Sequence, residues 1–528
     1  MNVYDSLYKY QNEIHHVLTA HEQGAAHAAD GYARTTGKVG VVISTSGPGA
    51  TNLVTGIATA YLDSVPMVAI CGNVPTTQIG TDSFQEIDIT GITLPITKHN
   101  YFVSNVEALA DTVREAFRLA QSGRPGPVLI DVPKDVQIAT CEYEAGTPVE
   151  KDAPFAAKDV RIQEAAEIIN SAKRPFIYFG GGVITSNAQE EVLALAEKID
   201  APIGCSLMGL SAIPTDHPRF LGMQGMHGHY ASSMSMHNAD VILSLGVRFN
   251  DRVTGNRTKF ATGARIVHVD VDGSELNKTV NSVCGLRGDV KLTLQKLLPL
   301  LNEGAKPDWM ARVSAFREEE ESYLDNRAGL TPRRAILTLN KHLGETTAVC
   351  TDVGQHQMWS AQSLHFKTAR RFASSGGLGT MGYGFGAAIG AAYGTGERSV
   401  LVTGDGSFGM NLNELATAVR YGVPVVVVIM NNGVLGMVRQ WQTLFYDKHY
   451  SNSVLERKTD FAAFAKAFGA DGEAVTTPEE LDEALGRAFA YDGPYIIDCK
   501  IDQDEFVLPM LPPGGCMDDI ITKLEVEQ

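Results

Sequence analysis

The stretch Gly404–Asn432, GDGSFGMNLNELATAVRYGVPVVVVIMNN, reads as one β-α-β unit once the preceding SVLVT (Ser399–Thr403) is included. SVLVT is short, apolar and rich in β-branched residues, as strands are. Leu412, Leu415, Ala416 and Val419 recur at the spacing of one helix face. Val423–Met430 is apolar apart from its Pro, the pattern of a strand buried on both faces of a parallel sheet. Asp405 and Asn432 then fall at the carboxyl ends of strands, the edge at which open α/β sheets bind ligands. An Asp carboxylate and an Asn carbonyl are hard oxygen donors, and Mg²⁺ takes few protein oxygens beside phosphate and water. The unit is a candidate metal-diphosphate site. Taken alone, the same residues also suit two turns, in which Gly404-Asp405-Gly406 and Asn431-Asn432 tolerate positive φ.

The same alternation of strand and helix runs outward through all 528 residues, a length for several cores. VGVVIST, VPMVAICG and GPVLIDVP mark a first block over residues 1–140. RPFIYFGGGV, DVILSLGVRF and RIVHVDVD mark a second over 158–302. TAVCTDVG, RSVLVTGDG and VPVVVVIMNN mark a third over 331–500, before an irregular tail over 501–528 that contains LPMLPPGG. Linkers are expected near Cys141–Asp159 and at LNEGAKPDW, the latter followed by the charged helix FREEEESYLDNR. The fold class expected is α/β, with three doubly wound parallel-sheet domains. The net charge of −17 and the lack of a long basic run argue against nucleic acid and anionic membranes as partners. No apolar run approaches the ~20 residues of a spanning helix. Seven dispersed cysteines without a C-x-x-C pair read as reduced thiols, hence a cytoplasmic location.

Near the start, VLTAHEQGAAHAADGYARTTGK (Val17–Lys38) places a short apolar run, His16–Ala20, before Glu22 and a helix of small residues. The run is expected to be a strand with Glu22 at its end. A carboxylate in a first helical turn complements the helix dipole, which alone would account for it.

The motifs NNGVLGMVRQWQ, GMHG, GVRFNDRVTG, EQGAAHAADGYAR, TSGPGATN, GTDSFQE and ITKHN, with the GDG…NN unit, fall in all three blocks. Together they resemble the catalytic subunit of acetolactate synthase (acetohydroxyacid synthase), a thiamine-diphosphate enzyme family. The resemblance implies pyrimidine, FAD-binding middle and diphosphate domains, and the cofactors thiamine diphosphate, Mg²⁺ and FAD. It implies that Glu22 protonates the cofactor's aminopyrimidine N1′, so that the imino nitrogen can take the thiazolium C2 proton. Gly24, Ala25 and Ala26 would let the backbone approach that ring. Gln355 and His356, in DVGQHQ, match diphosphate contacts, with Gly379, Gly404, Gly406 and Ser407 beside them. Met381, in GLGTMGYG, matches the bulky residue that bends the cofactor. Asp405 and Asn432, with the backbone carbonyl of Val434, would hold Mg²⁺. Met437, Val438, Trp441, Phe84, Gln85 and Lys98 fall where the family lines its substrate channel, Gln85 and Lys98 with catalytic roles.

In the middle block FGGGV is a Gly-rich turn after a strand but not G-x-G-x-x-G, and HVDVD puts Asp270 at a strand end where an acid can bind ribose. On the residues alone, ordinary strand-ending turns are the favoured reading of both. By resemblance, Gly181, Gly182, Met226, His227, Gly228, Arg248, Arg252, Asp270 and Asp289 would contact FAD. The family pattern also begins with a strand and a Gly-rich turn before the point where Met1-Asn2-Val3 stands, and Gly386 and Asn250 stand where Pro and Asp are usual. The implied activity is decarboxylation of pyruvate and transfer of its two-carbon unit to a second pyruvate or 2-oxobutyrate, in branched-chain amino acid biosynthesis. A pyruvate-oxidase-like relative, or a catalytically impaired or truncated form, is the alternative. The implied assembly is a homodimer or dimer of dimers, with a small regulatory subunit left open.

Overall fold

In a computed structural model, residues 1–147 and 149–523 are described; residue 148 in the first linker and 524–528 of the tail lie outside the described residues. Three all-parallel sheets follow one another along the chain. The first has the order β1-β2-β4-β3, from Gly40–Ser44, Met67–Asn73, His99–Phe102 (β3) and Pro127–Pro133 (β4). The second has the order β10-β9-β8-β5-β6-β7, where β5–β10 are Pro175–Phe179, Ile203–Cys205, Phe220–Met223, Val241–Leu245, Arg265–Asp270 and Cys284–Arg287. The third has the order β12-β11-β13-β14-β16-β15, where β11–β16 are Ala348–Thr351, Phe372–Ala373, Ser399–Gly404, Val425–Asn431, Asp471–Val475 and Tyr495–Lys500. The fold class read from the sequence is the one observed.

The third sheet puts β13 beside β14, with Gly404 opposite Met430. Asp405 and Asn432 thus follow adjacent strands. The β14 residues from Val425 to Met430 are buried, as a strand covered on both faces must be. Between them the expected single helix is broken: Leu412–Glu414 is a 3₁₀ turn and Leu415–Arg420 the short helix.

One expectation fails. His16–Ala20 is not a strand. Its amides are taken by side chains of the third domain: Leu18 N–H donates to the Tyr421 hydroxyl at 2.9 Å, and Ala20 N–H to Thr417 Oγ1 at 3.1 Å and Glu414 Oε2 at 3.2 Å. Backbone donors satisfied by side chains have no need of a ladder. Glu22 therefore begins the Glu22–Thr36 helix rather than ending a strand; the helix is capped by the His21 ring, which accepts from Gln23 N–H. A short helix, Asn2–Lys9, precedes this segment and was not foreseen.

The first and third domains meet through the Glu22–Thr36 and Gly384–Thr395 helices. A β-carbon on Gly390 would lie 1.8 Å from the Ala28 carbonyl oxygen, and one on Gly31 2.1 Å from that of Ala387. The helices touch backbone to backbone, which only glycine permits. Gly390→Ala is therefore expected to lower the melting temperature by several degrees, from ~1–3 kcal/mol of overpacking. Thermal unfolding checks this against Gly486→Ala, an exposed helical position where a β-carbon would meet nothing within 4 Å among the described residues and where no loss is expected.

Candidate active site

The carboxyl edge of the first sheet carries one polar cluster. After β1, Thr45–Gly49 turns into a short helix, and Asn52 Nδ2 from that helix donates to Glu22 Oε2 at 2.9 Å. A β-carbon on Gly49 would stand 3.2 Å from Glu22 Oε1, so the loop lies against the carboxylate. Gln85 packs on the same loop: a β-carbon on Gly47 would meet the Gln85 Cβ at 2.8 Å, and Gln85 is itself held at φ 62. Such a conformation costs a non-glycine residue energy and accumulates at functional loops. Phe84 beside it is 88% exposed. The Asn2–Lys9 helix is also near, since burial first, and then the Glu22 charge, push the Tyr4 phenol up.

Lys98 is placed differently from the channel role expected. Its ammonium donates to the Leu119 carbonyl and, at 2.7 Å, to that of Ser122, capping the carboxyl end of the Leu109–Gln121 helix. Burial lowers it to about 8.

The carboxyl edge of the third sheet carries the second cluster. Asp405 is 6% exposed, and burial raises its carboxyl to about 6. Gln355 Nε2 donates to Gln440 Oε1 at 3.0 Å and to the Glu505 carbonyl at 2.7 Å, while its Oε1 accepts from Asn432 Nδ2 at 3.3 Å. Asn432 Oδ1 accepts from Val434 N–H at 3.2 Å. His356 is buried, kept neutral by burial (about 3), and its Nε2 has no partner among the described residues. A β-carbon on Gly404 would fall 2.9 Å from the His356 ring. Ser407 and Gly406 are buried in the turn after Asp405, and a β-carbon on Gly406 would lie 4.0 Å from the Met381 methyl. Met381 is half-buried between Gly379 (φ 72) and Gly382 (φ 87). A β-carbon on Gly379 would meet only the Val353 methyl, at 4.0 Å, and one on Gly433 nothing within 4 Å among the described residues. On the Gly436–Phe445 helix, Val438 is 47% exposed and Trp441 packs edge-on to Phe445. Met437 packs inward against the core.

The middle-domain residues divide. His227 is buried, its Nδ1 unpartnered among the described residues, and is held neutral by burial, at about 4. Asp270 ends β9, and burial raises it to about 6; one oxygen accepts from Asp272 N–H at 2.8 Å. Arg252 is exposed, 3.6 Å from Asp251. Arg248 donates to the Leu62 carbonyl of the first domain, and Met226 N–H to the Arg252 carbonyl. Others do structural work: Gly182 packs on Gly246, Gly228 on the Met223 carbonyl, and Asp289 caps the Val290–Leu297 helix. Gly181 lies beside Met208. Sequence reasoning passed over Asn52 and Gln440, although TSGPGATN and VRQWQ contain them.

Three α/β domains with these two sheet-edge clusters define a thiamine pyrophosphate enzyme. Profiles of that class match in chain order: the N-terminal TPP binding domain at 1–92, the central domain at 162–297 and the C-terminal TPP binding domain at 352–499. The chain is similar to a probable acetolactate synthase large subunit of Methanocaldococcus jannaschii, 45% identical over 99% of this chain and 91% of the relative. It is 42% identical to the isozyme 2 large subunit of Escherichia coli (99% and 95% covered), and 43% to the Corynebacterium glutamicum large subunit (98% and 85%). The chain belongs to the acetolactate synthase large-subunit family.

A β-carbon on Gly436 would stand 1.9 Å from Gln355 Oε1 and 2.9 Å from Asn432 Nδ2. Gly436→Ala is expected to displace both and to weaken thiamine-diphosphate binding by about 10–100-fold, from ~1–3 kcal/mol of overpacking. Calorimetric titration checks this; unchanged affinity would take Gln355 and Asn432 out of the site.

Proposed function

We propose that the two sheet-edge clusters are the halves of one thiamine-diphosphate site, completed between two copies of the chain. In this reading the enzyme condenses pyruvate with a second pyruvate or 2-oxobutyrate. The observation that carries it is the pairing of a fixed, half-buried Glu22 on one domain with an oxygen-donor cradle at Asp405 and Asn432 on another. Asp405, Asn432 and the Val434 carbonyl would hold Mg²⁺, and the orphaned His356 Nε2 with Gln355 would meet the diphosphate. Bound cofactor supplies an electron sink for decarboxylation and for carrying the two-carbon unit.

The protein's own groups do the rest. Glu22 holds or gives up a proton at a fixed point, with Asn52 N–H steadying one oxygen so that the other faces the ring. The His356 ring is held neutral by burial, and its unpartnered Nε2 is the atom it would turn toward the diphosphate. Met381, set between two glycines of positive φ, shapes the cofactor. Val438 and Trp441 line the approach for the second 2-oxoacid, with Phe84 and Gln85 of the partner copy closing it. Lys98, tied to helix carbonyls, contributes to that face by fixing its backbone. FAD fits the middle domain at the unpartnered His227 Nδ1, the Asp270 carboxylate and the Arg252 guanidinium, and has a structural role there because the condensation involves no net redox. The relatives are named large subunits, so a small regulatory subunit is a further partner in this reading. No helix among the described residues is long and apolar enough to cross a membrane.

Acetolactate formed from pyruvate, measured as acetoin after acid treatment, is expected. Flavin bleaching under anaerobic pyruvate with no acetoin would indicate an oxidase instead. Glu22→Gln is expected to cut turnover by at least about 100-fold while the fold survives, the scale of lost acid–base catalysis; wild-type C2–H exchange of the bound cofactor would refute the relay. Trp441→Leu is expected to shift competition between pyruvate and 2-oxobutyrate toward parity, because one packed methyl is worth ~1–3 kcal/mol. An unchanged product ratio would remove Trp441 from the channel.

A further inference from the structure

The segment Ser375–Tyr383, which carries Met381, is gripped at both ends by the first domain. Asp63 ends the Val54–Asp63 helix, the negative end of the helix dipole and a poor place for a carboxylate. Its position is compensated from outside the helix. Oδ1 accepts from Gly377 N–H at 2.7 Å, Oδ2 accepts from Gly376 N–H at 3.0 Å, and Arg34 pairs with Oδ2 at 2.9 Å. The same guanidinium pairs with Asp30 one turn back on its own helix, and Asp30 accepts from the Tyr383 hydroxyl at 2.6 Å. Both carboxylates are fully buried and Arg34 nearly so. Midway, Thr59 and Thr380 share a hydrogen bond at 2.8 Å.

The backbone fits this grip closely. A β-carbon on Gly377 would come within 2.9 Å of Asp63 Oδ1, and one on Gly376 within 2.5 Å of Met208 Sδ. At the far end Gly382 N–H donates to Asp352 Oδ1 at 2.7 Å. The amides at one end and the tyrosine at the other therefore answer to a single cation, Arg34. We propose that the Asp30–Arg34–Asp63 triad is a positioning device for Met381: it sets the register of the Ser375–Tyr383 segment from the neighbouring domain, and through it the shape imposed on the cofactor. The inference rests on the reading of Met381 given above.

The test uses Asp63→Asn, with Thr59→Val as a second variant that leaves the buried charges intact should the first not fold. In the cofactor-free protein, amide exchange over residues 374–383 is expected to quicken at least about tenfold in either variant, while β13 and β14 stay protected. In the loaded protein, C2–H exchange per bound cofactor is expected to slow about 10–100-fold, the cost of misplacement by about 1 Å. Met381→Ala runs alongside. If Met381→Ala leaves C2–H exchange unchanged, the reading of Met381 is wrong. If Met381→Ala slows it and both clamp variants match wild type per bound cofactor, the triad only stabilises the fold and the inference is overturned. Unchanged amide exchange over 374–383 would overturn it as well.

Discussion

The first and third domains are held together by two helices that touch backbone to backbone at Gly31 and Gly390. The Glu22–Thr36 helix carries the candidate proton relay at its first residue, and the Gly384–Thr395 helix follows the Met381 segment. At Gly31 and Gly390 they are close enough that a single methyl would overlap a carbonyl oxygen. Close packing of this kind is stiff, since protein interiors transmit small displacements rather than absorb them. The consequence is that the first domain's functional edge is indexed to the third domain. The same interface holds the Glu414 carboxylate, which accepts from the amides of Ala20 and His21 just before Glu22. The small-residue composition of EQGAAHAADG and GFGAAIGAA is thus the price of that alignment.

Burial sets the chemistry of the polar groups on each edge. Asp405 and Asp270 are both raised by desolvation to about 6, and His356 and His227 are both lowered by it. Among the described residues His356 Nε2 and His227 Nδ1 are buried without a partner, which is what a site for a charged ligand looks like before the ligand is counted. Lys98 and Asp289 lack that signature, because their polar atoms are engaged with helix ends.

The sheets, their parallel order and the Asp405–Asn432 edge were legible in the sequence because strand burial writes itself as apolar runs and turn chemistry as Gly, Asp and Asn. The family motifs added Glu22 and the oxygen donors. What was not legible is cross-domain. His16–Ala20 has the composition of a strand, yet its amides go to Glu414, Thr417 and Tyr421, some 400 residues away. Asn52, Gln440 and the Asp30–Arg34–Asp63 triad sit inside motifs that were read, but their partners are set by packing that no local pattern encodes. The same holds for Lys98, whose role as a helix cap depends on where a helix of another segment ends.

The central claim is that the Glu22 and Asp405 clusters are halves of one site supplied by different copies of the chain. Mixing Glu22→Gln with Asp405→Asn tests it most directly. Each variant alone is inactive in this account. After equal amounts are unfolded and refolded together, about a quarter of wild-type acetolactate formation is expected, because half of randomly paired dimers are mixed and each holds one intact site. Complete absence of activity in the mixture, with mixed dimers demonstrated by differential tags, would contradict it.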